Sequence, residues 1–351
     1  MKSSPILRAA ALSRISEENL IIDFIGGVIS MRIHFWGVRG SIPAPLSPIQ
    51  VQNRIAAVVQ RISAKDVVSA DSRERFLASL PQWIFGTIGG NTSCVEVENS
   101  SGDCIILDAG SGLRELSVNL RQRPGFTATG RTYHLVFSHF HWDHLQGLPF
   151  FSQGFDPRNK IVFYSTNPDF RAILNAQMRE PYFPVPMEGP GGFRAQLEFV
   201  HLDSGDHVFS IGNTKLIWKE MNHPGGCTAY MLTEGGKKVI YATDTELTRE
   251  DFIKNPENEE FYSGADVLIM DSQYTMGEAI EKTGWGHSAF SLSVDFALTW
   301  GVKTLVLFHH EPTYSDQKIW SLRQSAEWYR EYAGSRVVDI QIAREGLDLY
   351  T

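Results

Sequence analysis

Cysteine is scarce in this sequence. Its 351 residues include three cysteines, Cys94, Cys104 and Cys227, and no two of them form a CxxC pair. So few thiols in a chain of this length exclude a disulfide scaffold and indicate a reducing compartment, so we predict a cytoplasmic protein. Free cysteine usually behaves as a small buried side chain, the role that we expect for Cys94 and Cys104 on neighbouring strands.

A long apolar run and an excess of positive charge are also missing. The most apolar early stretch, NLIIDFIGGVISM (19–31), is interrupted by Asp23 and is too short to span a bilayer. We therefore expect no membrane partner. The formal net charge of −8 disfavours a broad electrostatic surface for nucleic acid, although an acidic protein can still bind phosphate in a local pocket.

The pattern of predicted elements indicates an α/β protein. Residues 1–30 precede the first clear strand and are interpreted as an extension of unknown role, ahead of one domain at 31–351. Within this domain, residues 46–85 have helical apolar spacing and are predicted to form a helical insertion. Early strands follow one another and later strands alternate with helices, which predicts two packed sheets with helices outside.

The segment SHFHWDHLQG (138–147) concentrates metal-capable side chains. His139, His141, Asp143 and His144 fall within six positions, directly after the buried-type strand YHLVF. A lone histidine is usually structural, but His-x-His in a tight loop can present two imidazoles to one metal. The next two side chains then point to a second metal. The cluster therefore predicts metal binding.

Polar side chains also follow other strands. Asp244, Asp271, His309 and His310 each come at the end of an apolar run, and His223 lies at the strand-to-turn junction MNHPGG. Ligands gather beyond the carboxyl ends of strands in α/β proteins, so these residues are expected to converge. A two-metal site needs a bridging carboxylate and a bridging water, whose pKa the metals lower, and Asp244 is the predicted bridge.

The HFHWDH segment resembles the HxHxDH signature of the metallo-β-lactamase superfamily. The order of the later residues matches as well, and LDAGSG (107–112) resembles an early motif in which Asp108 would order the metal loop. The resemblance covers about residues 31–345 and implies a four-layer αββα sandwich with two divalent metal ions in a groove. Zinc is the expected metal, and manganese and iron are the alternatives.

The resemblance also implies the ligand sets. One metal would be held by His139, His141 and His223, the other by Asp143, His144 and His309, with Asp244 between them. The zinc β-lactamases carry a cysteine where this chain has Asp244, which disfavours β-lactam hydrolysis.

Three further segments resemble the phosphodiesterase branch of the superfamily, which includes tRNA 3′-processing endonucleases and cyclic phosphodiesterases. They are GVRGSIP (37–43), GGNTSC (89–94) and GWGHSAF (284–290). The last implies that His287 lies near the scissile phosphate, where an imidazolium stabilises the phosphate oxygens or protonates the leaving oxygen. His287 and the ligand Asp143 are the predicted catalytic residues.

Four residues are candidates for substrate contact. Arg39 could contact phosphate or form an ion pair, and His310 could touch substrate or pack. Tyr182 and Phe183 lie in the Pro- and Gly-rich loop 181–193, where an aromatic ring could stack on a base or simply pack.

One departure from the branch concerns the substrate. Only one β-hairpin separates His223 from Asp244, where the tRNA-processing enzymes carry a long arm that grips tRNA. We therefore predict a small cyclic nucleotide or cyclic phosphate as substrate, cleaved by hydroxide that bridges the metals. Hydrolysis of a lactone, thioester or sulfate ester and RNA processing are the alternatives. Homodimers are common on this fold, so a homodimer is one compatible assembly.

Overall fold

The computed structural model of the protein describes residues 30–123, 130–203, 207–334 and 337–351. The extension predicted at 1–30 lies outside these ranges, apart from Ser30. The described strands are β1 Met31–Gly37, β2 Cys94–Asn99, β3 Cys104–Leu107, β4 Thr132–Val136, β5 Lys160–Ser165, β6 Gln196–His201, β7 Val208–Ile211, β8 Thr214–Met221, β9 Cys227–Glu234, β10 Lys237–Ala242, β11 Val267–Asp271, β12 Thr304–Phe308, β13 Asp339–Ile342 and β14 Asp348–Tyr350.

These strands form two seven-stranded mixed sheets. The first sheet has the order β14-β1-β2-β3-β4-β5-β6 and the second has the order β13-β12-β11-β10-β9-β8-β7. Strands β3 to β6 are parallel, as are β10 to β13, whereas the remaining neighbours pair antiparallel. Each sheet therefore has a block of parallel strands whose carboxyl ends lie at one edge.

The helices lie outside the two sheets or in the predicted insertion. The described α-helices are α1 Pro48–Val59, α2 Ala70–Ser79, α3 Gln82–Phe85, α4 Gly112–Leu120, α5 Trp142–Leu145, α6 Phe170–Gln177, α7 Pro256–Tyr262, α8 Met276–Glu281, α9 Phe290–Thr299 and α10 Asp316–Tyr332. In the described part of the chain, no helix has the length and apolar character that crossing a bilayer needs.

Alternation along the strands separates the layers. Val95 and Leu107 of the first sheet pack with residues of the second sheet, such as Leu232, in the core between the sheets. Cys94 and Ile106 point the other way and pack beneath α4 and α6. Successive strand residues face opposite sides of a sheet. The first sheet is therefore covered by the second sheet on one face and by α4 and α6 on the other. Helices α9 and α10 pack on the second sheet, so the predicted αββα sandwich is confirmed.

The stretch predicted to be a helical insertion holds α1, α2 and α3. Its own small apolar cluster is formed by Phe76, Leu80 and Ile84. The buried carboxylate of Asp316 ties the insertion to the sandwich, because it accepts hydrogen bonds from Arg54 of α1 at 2.6 Å and from Thr87 at 2.8 Å.

Ser288 lies just before α9, which begins at Phe290 with Ala289 in the capping position. The Ser288 hydroxyl donates to the Thr245 carbonyl at 2.6 Å and accepts from the Leu247 amide at 3.0 Å. Ser288 therefore joins the loop after β10 to the segment that carries His287.

Candidate metal centre

The predicted ligands meet at the carboxyl-terminal edge of the parallel strands. His139 follows β4, Asp244 follows β10 and His309 follows β12. The backbone at this edge is unusual, because Ser41, Asp108, Asp244 and His309 all have positive φ between 45° and 62°. Residues with side chains seldom adopt this conformation, and such strain is concentrated at functional sites.

One cluster joins the His-x-His pair to His223. The possible ligand atoms of His139, His141, His223 and Asp244 all lie within 4.8 Å of one another. His223 Nε2 is 3.1 Å from His141 Nδ1, and His139 Nε2 is 3.6 Å from Asp244 Oδ2. These atoms converge on one point, as the ligands of a single metal ion must.

A second cluster adjoins the first. The possible ligand atoms of Asp143, His144, Asp244 and His309 also lie within 4.8 Å of one another. Both His144 Nε2 and His309 Nε2 are 3.2 Å from Asp244 Oδ1. Asp244 therefore turns Oδ2 toward the first cluster and Oδ1 toward the second, which is the geometry of a bridging carboxylate.

The donor set fits metal ions on independent grounds. The Nε2 atoms of His139 and His144 are buried and have no hydrogen-bond partner among the described residues. A buried polar atom without a partner is costly unless another group, such as a metal ion, satisfies it. Imidazole with carboxylate suits zinc, manganese and iron. The seven predicted ligands can thus hold divalent ions.

Hydrogen bonds from the opposite ring nitrogen orient three of these histidines. Nδ1 of His144 lies 2.8 Å from Asp108, Nδ1 of His223 lies 2.8 Å from the Gly286 carbonyl and Nδ1 of His309 lies 3.0 Å from Gln273 Oε1. Each contact leaves Nε2 turned toward a cluster, in the way outer partners fix ligating imidazoles.

The resemblance implied that Asp108 orders the metal-binding loop, and its contacts in the structure agree with this role. Its carboxylate also accepts hydrogen bonds from the Ser138 amide at 2.7 Å, the Ser138 hydroxyl at 2.6 Å and the Tyr241 hydroxyl at 2.8 Å. It therefore joins the start of the loop after β4 and His144 of α5 to Tyr241 of β10.

The GVRGSIP turn supports the second cluster. The Ser41 amide donates to Asp143 Oδ2 at 2.7 Å, and the Gly40 amide donates to the His310 carbonyl at 3.0 Å. The backbone of this segment therefore holds the carboxylate of Asp143, a candidate ligand, and the sequence did not suggest this role.

Replacing Gly40 by alanine tests this close packing. A Cβ at residue 40 would lie 2.5 Å from His309 Nδ1, inside normal contact distance. We expect Gly40→Ala to displace the His309 ring and to weaken metal binding at the second cluster by about 10-fold or more. Elemental analysis after dialysis against a metal buffer measures this loss. The matched control is Gly277→Ala, where nothing lies within 4 Å; equal metal content in both variants would contradict the expectation.

His287 is partly buried at the rim of the clusters and forms a hydrogen-bonded pair with the buried Asp271. Its Nδ1 lies 2.6 Å from Asp271 Oδ2, and its ring stacks on His309 at 4.9 Å between centroids. Burial acts to lower the pKa of His287, but the charge and hydrogen bond of Asp271 more than offset it and raise this pKa to about 9. The raised pKa of His287 favours its protonated imidazolium form beside the two clusters.

Sequence reasoning missed Glu246, which shapes the turn before His287. Its carboxylate accepts from the Gly284 amide at 2.8 Å and from the Gly286 amide at 3.1 Å. The Gly286 carbonyl in turn orients His223, so the Glu246 carboxylate fixes the backbone that contacts this candidate ligand and precedes His287. Its place two residues after Asp244 was the available signal.

A groove of about 360 Å³ opens over both clusters. It is lined by Ser41, Phe140, His141, Trp142, Asp143, Asp244, His287 and His309. Tyr182 and Phe183 do not line it. Tyr182 is exposed, and the Phe183 ring packs edge-on against Phe150 at 5.7 Å. The aromatic groups that do line the groove, Phe140 and Trp142, come from the metal-binding segment itself.

Arg39 and His310 have structural positions in place of the predicted substrate contacts. Arg39 is only 3% exposed, and its guanidinium donates to Asp316 at 2.8 Å, to the Gly89 carbonyl at 2.9 Å and to the Tyr314 carbonyl at 3.0 Å. His310 is buried and Nε2 lies 2.8 Å from the Ala343 carbonyl. Neither side chain lines the groove, because each makes its hydrogen bonds to other segments of the chain.

The burial of His310 predicts a pH dependence of stability. Burial and the charge of Arg39 lower the pKa of His310 to about 3, whereas an unfolded histidine titrates near pH 6.5. The unfolded chain therefore takes up this proton first, so the stabilising effect is complete above pH 6.5 and is lost as the pH falls toward 3. Between pH 7.5 and pH 5 the loss is about 2 kcal/mol.

Urea unfolding of the metal-free protein measures this effect in comparison with His310→Gln. As the pH is lowered from 7.5 to 5, we expect the free energy of unfolding to fall by about 2 kcal/mol more in the parent protein than in the variant. Parallel curves for the two proteins would show that His310 does not titrate on unfolding.

The fold and the site define the class of this protein as a metal-binding hydrolase with an αββα sandwich. The chain belongs to the β-lactamase superfamily, because the family model described as "Beta-lactamase superfamily domain" matches residues 104–310, more than half of the sequence. The predicted superfamily is thus confirmed.

Individual proteins resemble this chain in sequence or in fold. The chain is 23% identical over 269 residues to a ribonuclease Z of Haloarcula marismortui, covering 64% of this chain and 82% of the relative. The metallo-β-lactamase fold protein YhfI from Bacillus subtilis shares the fold with 16% identity, a TM-score of 0.59 and coverage of 92% and 100%. A diphosphatase from the PhnP family does so with 16% identity, a TM-score of 0.56 and coverage of 91% and 97%.

Proposed function

We propose that this protein is a metal-dependent phosphodiesterase that cleaves a small cyclic nucleotide or cyclic phosphate. The observation that carries the proposal is the His287–Asp271 pair at the rim of a groove lined by two adjoining clusters of metal ligands. Two ligand clusters that share a carboxylate suit an in-line displacement at phosphorus. A protonated imidazole beside them suits the negative charge that develops there.

The residues of the chain have distinct tasks in this reaction. The seven ligands would hold two divalent ions, with zinc expected, and these ions would supply Lewis acidity and activate water. Asp271 holds Nδ1 of His287, so the other nitrogen is left to the groove. His287 donates its proton to the leaving oxygen as the phosphorus–oxygen bond breaks. The attacking water supplies the new oxygen on phosphorus and loses a proton to solvent, from which His287 is protonated again.

The size of the groove and its surroundings favour a small substrate. The groove volume of about 360 Å³ is at the lower end of the range for small-molecule sites. Strands β9 and β10, which separate His223 from Asp244, are joined by Gly235 and Gly236 alone. No arm extends from this hairpin to grip a large RNA, and the net charge of −8 opposes a wide nucleic-acid surface.

RNA processing is the second candidate, and the similarity to a ribonuclease Z favours it. A precursor tRNA with a 3′ trailer would then be cleaved in a metal-dependent reaction. The strong dependence of nucleic-acid binding on salt separates this candidate from a small-substrate enzyme, whose KM should change little between 50 and 200 mM salt.

A substrate panel tests the proposal. Protein loaded in turn with zinc, manganese and iron is assayed on cyclic nucleotides, bis(p-nitrophenyl) phosphate, a phosphomonoester, a lactone, a thioester, a sulfate ester and precursor tRNA. We expect the highest kcat/KM with a cyclic phosphodiester. If protein with full metal content hydrolyses no phosphodiester, the proposed function is refuted. A preference for the lactone, thioester or sulfate ester would show that the protein is a hydrolase of that other bond.

A further inference from the structure

We propose that the exposed indole of Trp142 is the surface on which the planar base of a nucleotide substrate stacks. The groove would then select phosphodiesters of nucleosides over base-free cyclic phosphates. This inference rests on the proposed function, because it assigns one part of that function's substrate.

The position of Trp142 is fixed relative to both ligand clusters. It is the first residue of α5 and lies between His141 and Asp143, which belong to different clusters. Its carbonyl accepts from the Gln146 amide at 2.8 Å, so the backbone at this point is held in a helical turn. A ring attached here stays beside any phosphate bound at the clusters, and it lines the groove.

The Trp142 side chain is 84% exposed, which is unusual for the largest apolar side chain. Across the ranges that the structure describes, no ring contact, cation contact or side-chain hydrogen bond of this indole is found. Phe140, two residues earlier, differs, because its ring stacks on Phe137 at 5.6 Å and packs against the core. Phe140 is therefore held by the core, whereas most of the Trp142 indole remains open to a ligand.

A nucleobase suits this surface better than a second copy of the chain does. The rest of the groove is lined mainly by ionisable and polar groups, which a protein interface would have to bury at a cost in solvation. A stable interface also buries about 1,200–2,000 Å² around an apolar centre, far more than one ring offers. A nucleotide instead carries an anion for the clusters and a flat base for the indole in one molecule.

The inference is tested with substrates that differ only in the base. Adenosine 2′,3′-cyclic phosphate is compared with the 2,3-cyclic phosphate of 1-O-methylribose, in metal-loaded parent protein, Trp142→Leu and Trp142→Phe. Leucine keeps an apolar side chain without an aromatic face, whereas phenylalanine keeps the face. The matched control is Trp328→Ala, another exposed tryptophan, which lies on α10 and does not line the groove.

We expect Trp142→Leu to lower kcat/KM for the nucleotide by about 5- to 150-fold, mostly through KM, and to change the base-free substrate by less than about 3-fold. Trp142→Phe should restore most of the loss, and Trp328→Ala should behave as the parent. Equal losses on both substrates, or no loss, would overturn the inference. A change in oligomeric state on gel filtration in place of a change in selectivity would assign the ring to a protein interface, and would also overturn it.

A binding measurement separates this inference from the proposed function. Calorimetric titration with AMP and with ribose 5-phosphate needs no turnover, and we expect Trp142→Leu to weaken only the binding of AMP, by a similar factor. If the parent protein binds AMP through Trp142 yet hydrolyses no phosphodiester, the base site stands and the proposed reaction fails. If it hydrolyses phosphodiesters while neither AMP affinity nor selectivity depends on Trp142, the reaction stands and the base site fails.

Discussion

Replacing Asp244 by alanine should remove metal from both clusters and lower phosphodiester kcat/KM by at least about 10³-fold. The reason is that its two oxygens serve different clusters, with Oδ2 3.6 Å from His139 Nε2 and Oδ1 3.2 Å from His144 Nε2. Loss of an outer partner of a ligand costs 10- to 100-fold in metal affinity, and loss of a shared ligand should cost more. Elemental analysis after dialysis measures the metal content, and initial rates measure the activity.

Asp108→Asn is the informative comparison for Asp244→Ala. Asp108 belongs to neither ligand cluster but holds the Nδ1 side of His144 at 2.8 Å. We expect weaker metal binding in this variant and recovery of activity in excess metal, whereas Asp244→Ala should not recover. An exposed carboxylate on β13, Asp339, provides the neutral Asp→Asn control. Two tightly bound ions in Asp244→Ala would contradict a bridging role.

The sequence predicts the convergence of these candidate ligands because their positions follow a rule of chain geometry. His139, His141, Asp143 and His144 are neighbours in sequence, so their proximity needs no knowledge of tertiary structure. Asp244 and His309 follow parallel strands, whose carboxyl ends share one edge of each sheet. The predicted two-sheet architecture therefore already brings them together.

Contacts that depend on tertiary packing were harder to predict. Arg39 and His310 are polar residues beside the site, yet the turn that holds Tyr314 and Asp316 and the segment at Ala343 enclose them. Their partners lie far away in sequence or are backbone carbonyls, which carry no sequence signal. Polar residue type indicates a functional candidate, but burial decides whether a substrate can reach it.

The aromatic residues that line the groove were also not predicted from the sequence. The Pro- and Gly-rich stretch at 181–193 has the composition of a loop over a site, but Phe183 packs against Phe150 instead. The sequence does not indicate a role for Trp142, because the residue lies inside the metal-binding signature, between two candidate ligands. Its exposure follows from the direction of the side chain at the start of α5, which only the three-dimensional arrangement reveals.

Replacing His287 by alanine should separate metal binding from proton donation. We expect kcat/KM to fall by about 10²- to 10⁴-fold for a phosphodiester with an alkoxide leaving group, because that oxygen needs a proton as it departs. The loss should be much smaller for bis(p-nitrophenyl) phosphate, whose leaving group is stable as an anion. Metal content should stay unchanged, since His287 is hydrogen-bonded through Nδ1 to Asp271 and belongs to neither cluster that contains Asp244.

The dependence on the leaving group is what distinguishes proton donation from other roles of His287. If its charge only stabilised the phosphate oxygens, both substrates would lose activity equally, because those oxygens are common to them. If the ring served as a metal ligand, metal content would fall along with both activities. Asp271→Asn should reproduce the His287→Ala pattern in weaker form, since it removes the charge that holds the imidazole protonated and oriented. His201→Ala, an exposed histidine outside the groove, should leave rates and metal content unaltered.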